Sequence, residues 1–145
     1  MTANRDRIAR QFIESIPHAQ ALGMRVDEIG PGRIVLSMDY DPRFIGDPET
    51  GVIHGGAVFA LLDTASGAAT MLHPSAPGGT ATIDLRIDYM RPATPGQRIV
   101  AEAECYNMTR SVAFIRATAM DDDRSRPVAT ASGAFTAEPA REKRP

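Results

Sequence analysis

The eighteen residues between His54 and His73, GGAVFALLDTASGAATML, carry a single ionisable side chain, Asp63. The rest of the stretch is small or aliphatic and reads as a helix. A helix that is apolar all round is normally buried, so the chain has to build cover for it on several sides. A buried carboxylate is costly unless it is paired or neutralised. Ionisable groups in apolar surroundings cluster at functional sites, which makes Asp63 the first candidate catalytic group. The structural alternative is an Asp tied to a nearby hydroxyl, with Thr64 and Ser66 in reach.

The remaining sequence supplies the cover. Residues 4–16 place Ile8, Phe12, Ile13 and Ile16 on one side of a short amphipathic helix that Pro17 ends. Residues 22–29 read as extended, and Gly30-Pro31-Gly32 makes a turn. Ile34, Leu36, Met38 and Tyr40 then alternate with Val35, Ser37 and Asp39, a half-buried strand, so a hairpin is expected. Residues 41–51, DPRFIGDPETG, form a loop long enough to suggest a role. Four further extended segments follow at 81–89, 99–106, 111–120 and 127–136, joined by polar turns, and are expected to form an antiparallel meander. Ala101, Ala103, Ala117, Ala119, Ala129, Ala131 and Gly133 share one parity, a sheet face trimmed to let the Ala-rich helix lie close. These signals give an α+β chain with one domain over residues 1–136 and a charged tail, 137–145, expected to fray.

Composition excludes several functions. A net charge of -2 gives no basic field for nucleic acid or an anionic membrane. A lone cysteine, Cys105, rules out an internal disulfide and a Cys-based zinc cluster. The first residues, MTANRDRIARQF, lack the apolar core of a signal peptide, and no apolar run is long enough to span a bilayer. The expected location is the cytoplasm.

Other candidate groups surround Asp63. The first N–H groups of a helix have no intrahelical partner and carry partial positive charge. At Gly55 and Gly56 they suit an oxyanion hole, and glycine admits a close ligand. The bland alternative is a tight turn into the helix. His54 either caps that turn or orients a substrate group. His54 and Asp63 are nine positions apart, about 13 Å along a helix and on opposite faces. If both serve one reaction, a second copy supplies one of them, so a homodimer with interfacial sites is expected. Thr82 sits on the polar parity of its strand. Arg91, and Arg110 with Ser111, are either solvated or placed to bind phosphate groups.

The strings GVIHGGAVFALLDTA and TATIDLRIDYMRPATPG resemble the hotdog-fold acyl-CoA thioesterases of the phenylacetate-pathway (PaaI-like) type. The resemblance covers nearly the whole chain. It implies a hotdog fold, a curved antiparallel sheet wrapped around a long central helix, paired into dimers and often tetramers. It implies an acyl-CoA substrate hydrolysed to free acid and coenzyme A without metal or separate cofactor. By position, Asp63 matches the catalytic carboxylate, as base or nucleophile. Gly55 matches the N–H that polarises the thioester carbonyl, and His54 the supporting histidine. Thr82 matches a Ser or Thr that places water, contributed with Asp63 by the subunit opposite His54. Pro48 stands where members often carry Asn or Gln, and Asp47, Glu49 and Thr50 are the neighbours available to replace it. Phe44, Ile45, Phe59 and Met71 are candidate pocket walls. Two other readings fit the same residues, a hotdog acyl-thioester hydratase or dehydratase and a non-catalytic acyl-CoA binding module.

Overall fold

A computed structural model describes residues 2–75 and 77–139. Helix α1 spans Thr2–Ser15. Pro17, expected only to end it, also opens a second short helix, α2, Pro17–Ala21. Proline is tolerated at a first helical position because the N–H it lacks would be unpaired there anyway. Strands β1, Met24–Gly30, and β2, Arg33–Met38, form the expected hairpin. Gly32 turns it at φ +61, a left-handed conformation that only glycine adopts cheaply. The long loop has structure of its own. A 3-10 turn at Pro42–Phe44, capped by the Asp41 carboxylate, leads into a small hairpin of β3, Ile45–Asp47, and β4, Val52–Ile53.

Helix α3, Gly55–Met71, is the apolar stretch. Strands β5, Thr82–Tyr89, β6, Ile99–Met108, β7, Val112–Met120, and β8, Ala129–Thr136, follow. The six long strands make one antiparallel sheet in the order β1-β2-β6-β7-β8-β5. The meander expected for the last four strands therefore holds only for β6, β7 and β8. Strand β5 lies beyond β8 at the sheet edge, and the chain crosses the ends of β8 and β7 to begin β6. This crossing is pinned from inside. The amides of Met90 and Arg91 donate to Val128 O, while the Thr94 amide and hydroxyl donate to Asp121.

The small residues of the sheet pair across strands: Ala101 opposite Ala119, Ala103 opposite Ala117, Ala117 opposite Ala131 and Ala119 opposite Ala129. All are buried. On this floor α3 lays Val58, Leu61, Leu62, Ala65, Ala68 and Ala69, which with Ile34, Leu36, Met38 and Ile99 form the core. Cover on every side of α3, expected from its apolar sequence, is not supplied by one chain. Phe59 is 40% exposed, and Asp63, Gly67 and Met71 continue a half-buried stripe at intervals of four. Beyond β8, Ala137 is buried and donates to Ser111 O, and Glu138 bridges to Gly79. Ala137 and Glu138, at the start of the tail expected to fray, are thus tied down, and 140–145 lie outside the described residues.

One irregularity decides how β5 faces the helix. Thr82 lies opposite Phe135 and Asp84 opposite Ala134, so Ile83 has no partner and the pairing shifts by one residue. Ile83 is 55% exposed. An extra residue reverses side-chain parity. Thr82, outward by strict alternation from Leu85 and Ile87, therefore shares their helix-facing side. The bulged backbone is closed by the Ala134 amide on the Asp84 carboxylate. It also occupies the space above Gly133, where a Cβ would overlap the Asp84 carbonyl oxygen. Gly133→Ala is expected to destabilise the fold by about 1–3 kcal/mol and to displace Thr82. Urea denaturation measures the first effect; the second appears as lost activity in protein that remains folded.

Candidate active site

The turn into α3 is assembled by close approaches. The His54 amide donates to Phe44 O at 2.8 Å. A Cβ on Gly46 would stand 2.8 Å from the His54 Cα, so only glycine lets β3 lie this close. His54 is the N-cap: its Nδ1 accepts the Gly56 amide at 2.8 Å. A Cβ on Gly56 would meet that same nitrogen at 2.8 Å. When neutral, the ring therefore carries its proton on Nε2. Of the two site amides, the cap consumes that of Gly56. The Gly55 amide has no acceptor among the described residues, and it sits at the positive end of the helix.

Tyr89, which sequence reasoning passed over, holds the other side of Gly55. Its hydroxyl donates to Gly55 O at 2.8 Å, and its ring would lie 3.3 Å from a Cβ on Gly55. Partial burial pushes the Tyr89 phenol pKa up, keeping the donor protonated. The available signal was its place on the helix-facing parity, directly before the crossing. Two cavities of about 420 and 430 Å³ flank this turn. Phe44, Ile45, Leu22 and Ala60 line one beside His54, while Val52, Val58 and Met90 line the other beside Gly55 and Tyr89. Of the four expected wall residues, Phe44 and Ile45 meet there. Met71 lines a separate groove, and Phe59 faces outward.

Asp63 stands two turns further along α3. Its Oδ1 accepts the Thr82 hydroxyl at 2.8 Å. The hydroxyls thought to be in its reach go elsewhere: Ser66 donates to Leu62 O, and Thr64 makes no bond to it. The helical rise separates Gly55 from Asp63 by about 12 Å, so one chain does not bring them to one carbonyl.

The expected phosphate ligands fare differently. The Arg91 guanidinium grips Asp121 with two 2.7 Å bonds and spends its remaining N–H groups on Arg126 O and Pro92 O. No donor is left for a phosphate; Arg91 is structural. Arg110 and Ser111 lie exposed in the β6–β7 turn, and Arg110 edges a hollow of about 550 Å³ with Ser75 and Thr109. They flank the Thr82 end of the sheet, whereas Arg91 follows the Tyr89 end, about 23 Å away along the strand. In the loop around Pro48, Asp47 accepts the Thr50 hydroxyl and the Glu49 amide, which hold its carboxyl below the usual range. Asp47 and Thr50 thus serve their own turn, and Glu49 makes no side-chain hydrogen bond among the described residues. No cluster of three or more metal-ligating side chains occurs among the described residues, and none of their helices is long and apolar enough to cross a membrane.

A family model described as the thioesterase superfamily matches residues 50–128, which include α3, Thr82 and Tyr89. The chain belongs to the thioesterase superfamily. It is accordingly a thioester hydrolase. It is similar to the medium/long-chain acyl-CoA thioesterase YigI of Escherichia coli, 26% identical over 122 residues, covering 75% of this chain and 78% of that one. A crystal structure of a Pseudomonas aeruginosa protein superposes with TM-score 0.80 at 40% identity, over 90% of this chain and 96% of that one. The Escherichia coli PaaI protein from the phenylacetic acid degradation operon shares the fold, TM-score 0.83 at 20% identity, over 94% of each chain. The curved six-stranded sheet around α3 is the hotdog fold.

The Arg91–Asp121 pair gives a stability expectation. The Asp121 side chain is fully buried, and the Arg91 guanidinium beside it, with help from Thr94 and Asp123, depresses its pKa. A depressed carboxylate stabilises the fold above its ordinary value near 3.8 and loses that contribution as pH falls below it. Asp121→Ala is expected to cost about 3–5 kcal/mol at neutral pH. The deficit relative to the native chain should narrow below pH 4 in denaturant titrations.

Proposed function

We propose that the protein hydrolyses an acyl- or aryl-CoA thioester to the free acid and coenzyme A, acting as a homodimer whose sites lie between the copies. The observation that carries this reading is the pairing of Asp63 with Thr82 on the uncovered stripe of α3, about 12 Å from the free Gly55 amide. Two copies related by a dyad bring the Gly55 turn of one to the Asp63 of the other. Strand β5 supports that arrangement, because it ends the sheet with an unpaired edge and exposed Tyr89 and Met90. Such edges are normally covered. A partner's edge strand there would also roof the open side of α3.

In this site the thioester carbonyl oxygen points at the Gly55 N–H. Negative charge develops on that oxygen as the carbon becomes tetrahedral, where an aimed, desolvated donor is worth most. His54 and Tyr89 fix the turn from its two sides. Asp63 of the other copy either takes a proton from water as the water oxygen bonds to the carbonyl carbon, or attacks that carbon itself. Collapse of the tetrahedral species breaks the C–S bond and releases coenzyme A as thiolate. It yields the free acid directly when water has attacked. When Asp63 has attacked it yields an acyl-Asp63 anhydride, which a water molecule then hydrolyses to the free acid and the regenerated carboxylate. Thr82 holds one Asp63 oxygen and leaves the other for this chemistry. Arg110, with Ser111, remains free to meet the phosphates of coenzyme A. The name of the Escherichia coli relative, an acyl-CoA thioesterase, supports the substrate class.

Asp63→Asn is expected to lower kcat by about 10²–10⁴ while binding of an S-alkyl coenzyme A thioether persists, read by thiol release and calorimetry. Undiminished turnover would rule out this carboxylate. Gly55→Pro removes the proposed donor at a position where proline suits the helix backbone and His54, at ψ 134, tolerates a following proline, while its Cβ, 3.3 Å from the Tyr89 ring, moves that ring by a few tenths of an ångström. It should cost about 10²–10³ in kcat. Mixing the two inactive variants under conditions that exchange subunits is expected to restore about a quarter of native activity, because half the dimers then hold one intact site. No recovery despite demonstrated exchange would place both groups in one chain.

A further inference from the structure

Helix α1 does not bury its whole apolar side. Ile8 is 56% and Phe12 46% exposed, although both lie on the side expected to pack. They face a groove of about 140 Å³ completed by Ala9 and by Ala68, Met71 and Leu72 of α3, with Arg5 at its rim. At roughly 30 Å³ per water-sized group, this is room for about five methylenes. The groove shares Met71 with the stripe of α3 that carries Asp63. Asp63, Gly67 and Met71 follow one another at intervals of four on the half-buried stripe, and at Gly67, which has no side chain of its own, the stripe is bordered by Phe135 and Thr80, 3.7 and 4.0 Å from where a Cβ would stand.

We propose that this groove receives the far end of the substrate's acyl chain, so that Ile8, Phe12 and Met71 set chain-length preference. The inference rests on the thioesterase reading above. Its geometry follows from where the reaction occurs. The reacting carbonyl lies against Asp63, so the groove on the Asp63-bearing chain is the nearer one, eight residues or about 12 Å along the helix. An extended hydrocarbon advances about 1.25 Å per carbon, from a 1.5 Å bond and a 111° angle. Carbons beyond about the ninth therefore reach Met71 and the groove, and shorter chains end over Gly67. A fatty acyl tail is apolar, unbranched and continuous with the reacting group, which matches an apolar trough leading out of the site. The groove discriminates by length alone, and its effect begins near ten carbons.

Ile8 and Phe12 are exposed, so polar replacements there act on the surface and not on the core. The test measures affinities of native protein, Ile8→Glu and Phe12→Ser for S-butyl- and S-dodecyl-coenzyme A thioethers by calorimetry, alongside thiol release from butanoyl- and dodecanoyl-CoA. Native protein is expected to prefer the dodecyl over the butyl thioether by at least about tenfold. Each variant should remove most of that ratio, and the ratio of kcat/KM for the two thioesters should fall in step. Met71→Trp, which fills the groove, should act likewise. A native preference that the variants leave intact, or no native preference, overturns the proposal. Chain-length-dependent binding that the variants abolish, without thioester turnover by the native protein, would uphold the groove and refute the hydrolase reading.

Discussion

The closeness of α3 to the sheet is the constraint on which the rest of the molecule depends. Three adjacent strands meet the helix with alanines paired across the ladder, so the helix approaches to the depth of a methyl group. Interiors pack at crystal-like density, and one added methylene is felt there. The alanine floor offers no polar partner, which explains where the helix hydroxyls go. Ser66 and Thr70 turn back onto the carbonyls of Leu62 and Ser66 in their own helix. Asp63 lies outside this floor, at the margin where the sheet gives out. Its position is therefore set by how deeply the other side of α3 sinks.

Strand β5 converts that depth into a site. It touches the helix at two places in the candidate site, through Thr82 at Asp63 and through Tyr89 at Gly55. Strict alternation would put these side chains on opposite faces of the strand, since seven residues separate them. The unpaired Ile83 restores them to the same face. Gly133 is what the neighbouring strand gives up for this, and the Asp84 carboxylate on the Ala134 amide holds the bulge closed. A local irregularity in an edge strand thus fixes a hydrogen bond between residues from different elements.

Much of this was legible in the chain. The apolar run with its single carboxylate gave α3 nearly to the residue, and the alanine parity identified the sheet face beneath it. The first hairpin followed from its turn glycine and alternation. The failures share a cause, which is that they depend on contacts between distant segments. Local alternation does not reveal that β5 pairs with β8, because the determinant is a crossing held by Asp121, thirty residues downstream of Arg91. That bond also takes up Arg91, which in the sequence alone reads as a free cation. Alternation alone puts Thr82 on the outer face, because a bulge leaves no mark in the alternation of its own strand. The only sequence trace is a glycine some fifty residues later. Tyr89 carries no local mark of its role, because an aromatic on the inward parity of a strand is indistinguishable from core.

The separation of Gly55 and Asp63 has an electrostatic logic once the site is read as shared. The partial positive charge of a helix terminus acts within about one turn. Asp63 lies beyond that reach on its own helix, so its carboxylate is not neutralised by the amides that the reaction needs. Were both groups adjacent in one chain, the carboxylate itself would occupy the Gly55 N–H as a cap, and donor and base would quench each other before a substrate arrived. Two turns of helix keep them apart in the monomer, and the Thr82 hydroxyl supplies the carboxylate with a weaker, neutral partner in the meantime. In the proposed dimer the two would meet across the dyad only with a carbonyl between them. On that proposal the N–H would find the oxygen and the carboxylate the face of the carbon, which would turn a mutual attraction into two separate interactions with the transition state.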